Sequence, residues 1–536
     1  MFSPTLIHEH LSRSAKTFPD KNALIFGDER WSFAEIDEAS THLARVLTNL
    51  GVKRHDRVAI LLDNSPETVI SLYGILKAAG TFIILESTLK AAKLRYILQD
   101  SGANVLIVHV NKADIVAEAL AQSTVNCGLL WVGDQTTHPI ETRSQSFFWS
   151  DVMSRSVWSN VPQSRSLTAS PSIDHDLASI IYTSGSTGEP KGVMCPHYNM
   201  VSVSQSIIRY LGDTSEDVLL NVLPLSFGYG LYQVLTSVMV GGTVVLEKSF
   251  AYPVKVLERF KKEKITGFAL VPTIVALMLR IKTIEEYDFS SLRYITNAAA
   301  ALPVEHLRRL RMLLPRVKIF PMYGLTECTR VSYLHPQEVD RRPYSVGKAI
   351  PNCEVLILDK DGQEVGPGEV GELVVRGTNV MRGYWNSPEL TSKSFRGGRT
   401  PGERLLYSGD LFKKDEEGFL YFVARKDDMI KVKGERVSPM EVENVLCALP
   451  GVVESAVIGV PDEILGQAIK ALIVSTGDVK LTAKKVLKHC SDNLQSFMIP
   501  KYVEFADSLP KLSNGKVDRK ILKKDHEERP RPPVTF

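Results

Sequence analysis

A short run from Tyr182 to Val193, YTSGSTGEPKGV, holds four Ser/Thr hydroxyls (Thr183, Ser184, Ser186, Thr187), three glycines (Gly185, Gly188, Gly192) and the cation Lys191. Glycine lets backbone N–H groups approach an anion, the hydroxyls add donors and the lysine adds charge, so this composition suits the grip of phosphate oxygens. The same composition also describes a flexible Ser/Gly turn. It does not describe a Walker loop, because Pro190 stands where G-x-x-x-x-G-K-[ST] needs its second glycine and Gly192 follows Lys191. No G-x-G-x-x-G follows an expected strand, which removes support for a Rossmann dehydrogenase.

Such a loop needs a strand to project it, and Ala178 to Tyr182 reads as a buried one. Further strands are expected at Thr243 to Leu246, Thr266 to Leu270, Tyr294 to Thr296 and Val317 to Phe320, with helices opening at Pro253 and Pro303. Residues 30 to 110 repeat the rhythm, with strands at Val58 to Leu62 and Val105 to Val108. This βαβα order predicts an α/β fold with two related sheet layers covered by helices. After Val346, short strands and turns at Asp361-Gly362 and Pro367-Gly368 predict a small β-barrel-like subdomain.

Beyond Arg425 a small α+β unit is expected. Ser438-Pro-Met-Glu441 reads as a capping box opening a helix that carries Val442, Val445, Leu446 and Leu449 on one face. Strands at Ser455 to Val460, Ala471 to Val474 and Tyr502 to Phe505 and a helix from Thr482 complete it. The expected division is an N-terminal body over 1–424, a C-terminal unit over 427–522 and a charged, Pro-rich tail over 523–536 that reads as disordered.

Composition narrows the class without naming a function. The chain has 536 residues, 44% hydrophobic and 23% charged, which suits a globular protein of several domain-sized units. A net charge of +3 announces neither a nucleic-acid binder nor a membrane-surface binder. Six dispersed cysteines without a C-x-x-C suggest neither a zinc site nor a disulfide framework. The charged N-terminus lacks a signal-peptide core, and Val69 to Leu85 is too short to span a membrane, so the expectation is a soluble cytoplasmic protein.

Four further segments follow the loop in order: Pro321-Met-Tyr-Gly-Leu-Thr-Glu327, Tyr407-Ser-Gly-Asp410, Ala424-Arg-Lys-Asp-Asp-Met-Ile-Lys431 with Gly434, and Asn514-Gly-Lys516. Together with YTSGSTGEPKGV the series resembles the adenylate-forming superfamily of acyl-CoA synthetases, luciferases and peptide-synthetase adenylation domains, and most closely the acyl-CoA synthetases. Weaker similarity reaches back to Trp31-Ser-Phe33.

The resemblance implies a ligase that joins a carboxylic acid to a thiol through an acyl adenylate, using ATP, Mg²⁺ and CoA. Thr183 to Lys191 would hold the β- and γ-phosphates, Thr326 the α-phosphate and Glu327 the Mg²⁺ ion. Tyr323 would stack on adenine, with Met322, Gly324, Ala298 and Ala299 lining the nucleotide. Asp410 would take both ribose hydroxyls, helped by Arg425. Lys516 would bridge the substrate carboxylate and the α-phosphate in the first half-reaction. Asp427 occupies the family's hinge position, and Gly434 borders its tunnel for a pantetheine thiol. Taken singly, each of these residues reads as a helix start, a turn or a solvated charge.

Three departures from the family pattern stand out, two bearing on the acid and one on the approach of adenine to the backbone. Phe227 replaces a histidine in Leu223-Pro-Leu-Ser-Phe-Gly-Tyr-Gly230, which favours an apolar acyl site formed with Gly228 and Tyr229. Gly228 also stands where amino-acid-activating relatives place an aspartate, and its lack of charge counts against an α-amino acid. Asn297-Ala-Ala-Ala-Ala-Leu302 replaces S-G-A-A-P-L, removing the proline. His197 follows the phosphate loop and is given no role. The alternatives are loading of a carrier protein's phosphopantetheine, or a retired, non-catalytic nucleotide-binding scaffold.

Overall fold

The structure, a computed structural model, describes residues 4–123, 125–134, 145–153, 172–184, 189–432, 435–462, 465–476, 481–512 and 515–528. Two large sheets carry most of the chain. The first has nine strands; its parallel centre runs Lys318–Tyr323, Tyr294–Asn297, Gly267–Leu270, Val218–Asn221, Thr243–Leu246 and Asn22–Phe26. Thr243–Leu246, Gly267–Leu270 and Tyr294–Asn297 are buried throughout, which explains the mostly apolar character of the first two: in a parallel sheet, helices cover both faces. The second sheet has seven strands and ends in the antiparallel pair Leu177–Ser184 and Pro190–Pro196.

Between the large sheets and the C-terminal unit lies an antiparallel sheet built from Cys353–Leu358, Gly371–Gly377, Phe395–Gly397, Arg404–Lys414 and Leu420–Arg425. The last sheet comprises Ile430–Val432, Glu435–Val437, Val452–Asp462, Gly466–Ser475 and Tyr502–Phe505. Among the described residues no helix is long and apolar enough to cross a membrane.

Two local expectations are corrected. Ser438 does open the helix Pro439–Ala448, but its hydroxyl makes no cap and instead donates to the Val423 carbonyl at 2.6 Å. The tertiary acceptor wins over the local N–H, and the bond ties the C-terminal unit's first helix to the strand that precedes it. At Ser32, where no such competitor intervenes, the reciprocal box forms: Glu35 N–H donates to Ser32 Oγ at 3.2 Å and Ser32 N–H to the Glu35 carboxylate at 2.9 Å. The second correction concerns the tail. A helix over Arg519–Glu528 carries order through residues 523–528, because it buries Leu522 and His526 against the last sheet, with His526 beside Tyr502.

Candidate active site

The hairpin at the edge of the second sheet sets Thr183 opposite Lys191 and Ser184 opposite Pro190. Gly185, Ser186, Thr187 and Gly188 lie outside the described residues. The strand side of the hairpin is anchored by Tyr182, whose hydroxyl donates to Asp100. Its other side is flanked by the segment around residues 381–385: Met194 N–H donates to the Gly383 carbonyl at 2.9 Å and Trp385 N–H to that of Gly192 at 2.7 Å. This pairing puts Tyr384 under the loop's lysine, with Lys191 Nζ 5.2 Å from the centre of its ring.

Tyr323 ends a central strand of the first sheet, where ligands of open α/β sheets collect at the carboxyl edge. Gly324 begins a loop so tight that a Cβ there would lie 2.2 Å from the Thr329 carbonyl oxygen, so no larger residue fits. The loop carries Thr326 and Glu327, both half-buried. Tyr384 Oη donates to Glu327 Oε1 at 2.7 Å and Met381 N–H to the Glu327 carbonyl at 2.9 Å.

Asp410 and Arg425 face each other across paired strands. Arg425 Nε donates to Asp410 Oδ1 at 3.0 Å, and Tyr323 Oη donates to Oδ2 at 2.6 Å. Burial raises the carboxyl's affinity for its proton, while Arg425, Tyr323 and Lys516 act in the opposite direction. The Tyr323 ring packs edge-to-face on Phe412 with centroids 4.8 Å apart. Met322 points elsewhere: it is buried, and its sulfur accepts from Tyr210 Oη at 3.1 Å.

At the neighbouring strand end, Asn297 supplies what the missing proline would have fixed. Its Nδ2 donates to the Ala300 carbonyl at 3.1 Å, closing a turn in which Ala299 adopts a left-handed φ of 74°. Ala298 is buried below it.

Lys516 reaches this cluster from the C-terminal unit. Gly515, at φ 80°, presses the turn onto the first sheet's edge, where an added Cβ would meet Thr273 Oγ1 at 2.9 Å and Val271 at 3.0 Å. Ala276 packs into the C-terminal unit's second apolar cluster. In this arrangement the ammonium of Lys516 lies in the field of Arg425, Asp410 and Glu327. Burial, then Arg425, lowers its hold on the proton; the two carboxylates raise it. Asp427 stands apart, exposed in the turn after strand Leu420–Arg425, and Gly434 lies outside the described residues.

The three expected acyl-site residues adjoin one another. Phe227 precedes the helix Gly228–Val240, and its ring meets Tyr229 edge-on at 6.5 Å. Tyr229 shares a 2.6 Å hydrogen bond with Thr296 Oγ1. A charged side chain lies beside them. The guanidinium of Arg330 sits 5.1 Å from the centre of the Tyr229 ring, buried to 2% exposure. His197 is structural: its Nδ1 accepts from the Ile7 N–H at 3.2 Å, and burial holds its pKa down at about 4.

Residues 11–385 match the family described as AMP-binding enzyme, and residues 441–516 match its C-terminal domain. The chain belongs to the AMP-binding enzymes. A long-chain-fatty-acid–CoA ligase of Bacillus subtilis (strain 168) is 32% identical, the match covering 97% of this chain and 94% of that protein. Tyrocidine synthase 3 of Brevibacillus parabrevis is 30% identical over 97% of this chain and 8% of its own length. The crystal structure of the anthranilate CoA ligase AuaEII in complex with anthranoyl-AMP superposes with a TM-score of 0.88 at 27% identity, covering 98% of this chain and 97% of that one.

Two residues of this AMP-binding enzyme escaped the sequence reading. Tyr384 lies in Met381-Arg-Gly-Tyr-Trp385, where an aromatic beside a tryptophan looks like core. Arg330 lies in a polar loop, where a cation looks solvated. For Tyr384, the signal that could have found it is the glycine before it, which permits the close pairing with the phosphate hairpin. For Arg330 it is position, three residues past the Thr-Glu pair.

Proposed function

We propose that this enzyme activates a carboxylic acid with ATP as an acyl adenylate, releases pyrophosphate, and transfers the acyl group to CoA. The observation that carries the reading is the arrival of Lys516 among Glu327, Asp410 and Arg425 from a separate part of the chain. Adenylation brings a carboxylate to a polyphosphate, and a cation between them relieves repulsion as the two anions approach.

In this reading the carboxylate oxygen attacks the α-phosphorus and the bond to pyrophosphate breaks. Lys516 bridges the two anions, Thr326 holds the α-phosphate, and Lys191 with the loop from Thr183 holds the β- and γ-phosphates. Tyr323 presents its ring to adenine. Asp410 takes the ribose hydroxyls, its position fixed by Arg425 and Tyr323. Glu327 fits one ligand position of Mg²⁺, since it is a hard oxygen donor held in place by Tyr384. The ion would neutralise phosphate charge.

In this cycle the chain divides into a body over 1–424 and a mobile unit over 427–522 that turns at Asp427 for thioester formation. A carrier-protein phosphopantetheine is the second possible acceptor, favoured by the 30% identity to a peptide synthetase. Six free cysteines suit a reducing compartment, and the proposal places the enzyme in the cytoplasm. The test is a panel of carboxylic acids assayed for ATP-dependent pyrophosphate release with and without CoA. Release that requires an acid, and acyl-CoA formed in its presence, is the expected result; a panel without release overturns the proposal.

A further inference from the structure

Arg330 is a buried cation whose partners are neutral, the Tyr229 ring and the Tyr210 hydroxyl, with no carboxylate paired to it among the described residues. It follows Glu327 by three residues, in the loop that leaves strand Lys318–Tyr323. The loop fixes it firmly. Thr329 is held at a φ of 58°, a conformation unfavourable for a β-branched residue, and Asn379 Nδ2 donates to the Arg330 carbonyl at 2.8 Å.

The side chain is 2% exposed, and its Nε has no hydrogen-bond partner. Its neighbours are aromatic hydroxyl residues: it lies over the Tyr229 ring, and the Tyr210 and Tyr232 hydroxyls feel its charge. Among the described residues no carboxylate forms an ion pair with it. Arginine cannot shed its proton to ease burial, so a guanidinium placed here is uncompensated until something anionic arrives. Ring stacking offsets part of that deficit, and an empty donor remains.

The surroundings say what arrives. Tyr229 and Gly228 are the residues assigned to the acyl site, and a Cβ added at Gly228 would meet no atom within 4 Å, so there is open space next in sequence to the residue on whose ring Arg330 stacks. A guanidinium pairs best with a planar oxyanion that accepts two parallel hydrogen bonds. We infer that the acid activated here carries a second carboxylate, which pairs with Arg330 while the first is adenylated. The inference rests on the ligase reading and names its substrate class: a dicarboxylic acid rather than an unsubstituted fatty acid. It also removes α-amino acids more firmly than Gly228 does, since their ammonium would meet a buried cation.

The experiment uses the full chain and measures ATP-dependent pyrophosphate release with dicarboxylic acids from malonic to suberic, each beside the monocarboxylic acid of equal carbon number. The expected result is a kcat/KM for the best dicarboxylate about 100-fold or more above its monocarboxylic match, because a buried donor set left unpaired rejects the analogue that lacks its acceptor. Arg330→Leu is expected to cut the dicarboxylate value by a similar factor and to leave or raise that of the monocarboxylate. Arg330→Lys, which keeps the charge but not the fork, should fall between. The wild-type panel decides even where a variant does not fold. Equal or better use of monocarboxylates by the wild type overturns the inference and leaves the ligase reading standing. Equal loss on both acids in Arg330→Leu shows a structural role and also overturns it. Release with no acid at all overturns both.

Discussion

Tyr384 Oη donates to Glu327 Oε1 at 2.7 Å while the face of the same ring lies 5.2 Å from Lys191 Nζ. One aromatic residue thus links the carboxylate assigned to Mg²⁺ with the lysine assigned to the terminal phosphates. Tyr384→Phe keeps the ring under Lys191 and removes only the donor. Partners that orient a metal-binding carboxylate typically contribute 10–100-fold to metal affinity, so the Mg²⁺ concentration for half-maximal pyrophosphate release should rise about 10-fold. Turnover at saturating Mg²⁺ should change little. An unshifted Mg²⁺ titration would detach Tyr384 from the metal.

Lys516 lies in the field of Asp410 and Glu327 while the neighbouring Gly515 sits close against Val271 and Thr273. Its role should therefore be confined to the half-reaction run in this arrangement. Lys516→Ala is expected to lower acyl-adenylate formation by about 10²–10³-fold, the scale of losing one aimed charge in a desolvated site. Thiolysis of supplied acyl-AMP by CoA should stay within a few-fold of the wild type. Equal loss of both steps would contradict a two-arrangement cycle.

Tyr323 is assigned adenine through its ring, but its hydroxyl does different work by holding Asp410 Oδ2 at 2.6 Å. The two roles separate in Tyr323→Phe. Losing one hydrogen bond to a charged group removes about 1.5–3 kcal/mol where the carboxylate stays buried, so KM for ATP should rise about 10–150-fold with kcat nearly constant. Tyr323→Ala removes the ring as well and should weaken ATP much further. Identical KM values for the two variants would leave no role for the ring.

The parallel strands were legible because burial on both faces writes an unbroken apolar run, as at Thr243–Leu246 and Val105–His109. Their order across the sheet was not, since no local signal announces that Asn22–Phe26 lies beside Thr243–Leu246. The candidate site stands out in the sequence where several polar residues crowd a short segment, as around Thr326-Glu327 and Lys191. It was illegible where chemistry depends on a contact made elsewhere. Ser438 reads as a cap until Val423 takes its hydroxyl. Nothing in the segment around Phe227 announces that Arg330 lies against Tyr229.

His197 gives the last prediction. Its Nδ1 accepts the Ile7 N–H, which requires an unprotonated nitrogen, and burial lowers its pKa from 6.5 to about 4. His8, 5.8 Å away ring to ring, is lowered to about 3 by burial and by His197, and His306 to about 4 by burial and Arg309. Each folded-state value lies below the unfolded one, so between them the unfolded chain binds more protons and stability rises with pH. The contribution is complete above the unfolded value of 6.5 and is lost as pH falls toward about 4. Each histidine adds a slope of at most ~1.4 kcal/mol per pH unit. Denaturant midpoints measured from neutral pH down to about 4.5 should fall steadily, with His197→Gln flattening the slope by about one histidine's share. A stability that stays level through this window would show that these histidines are not held neutral.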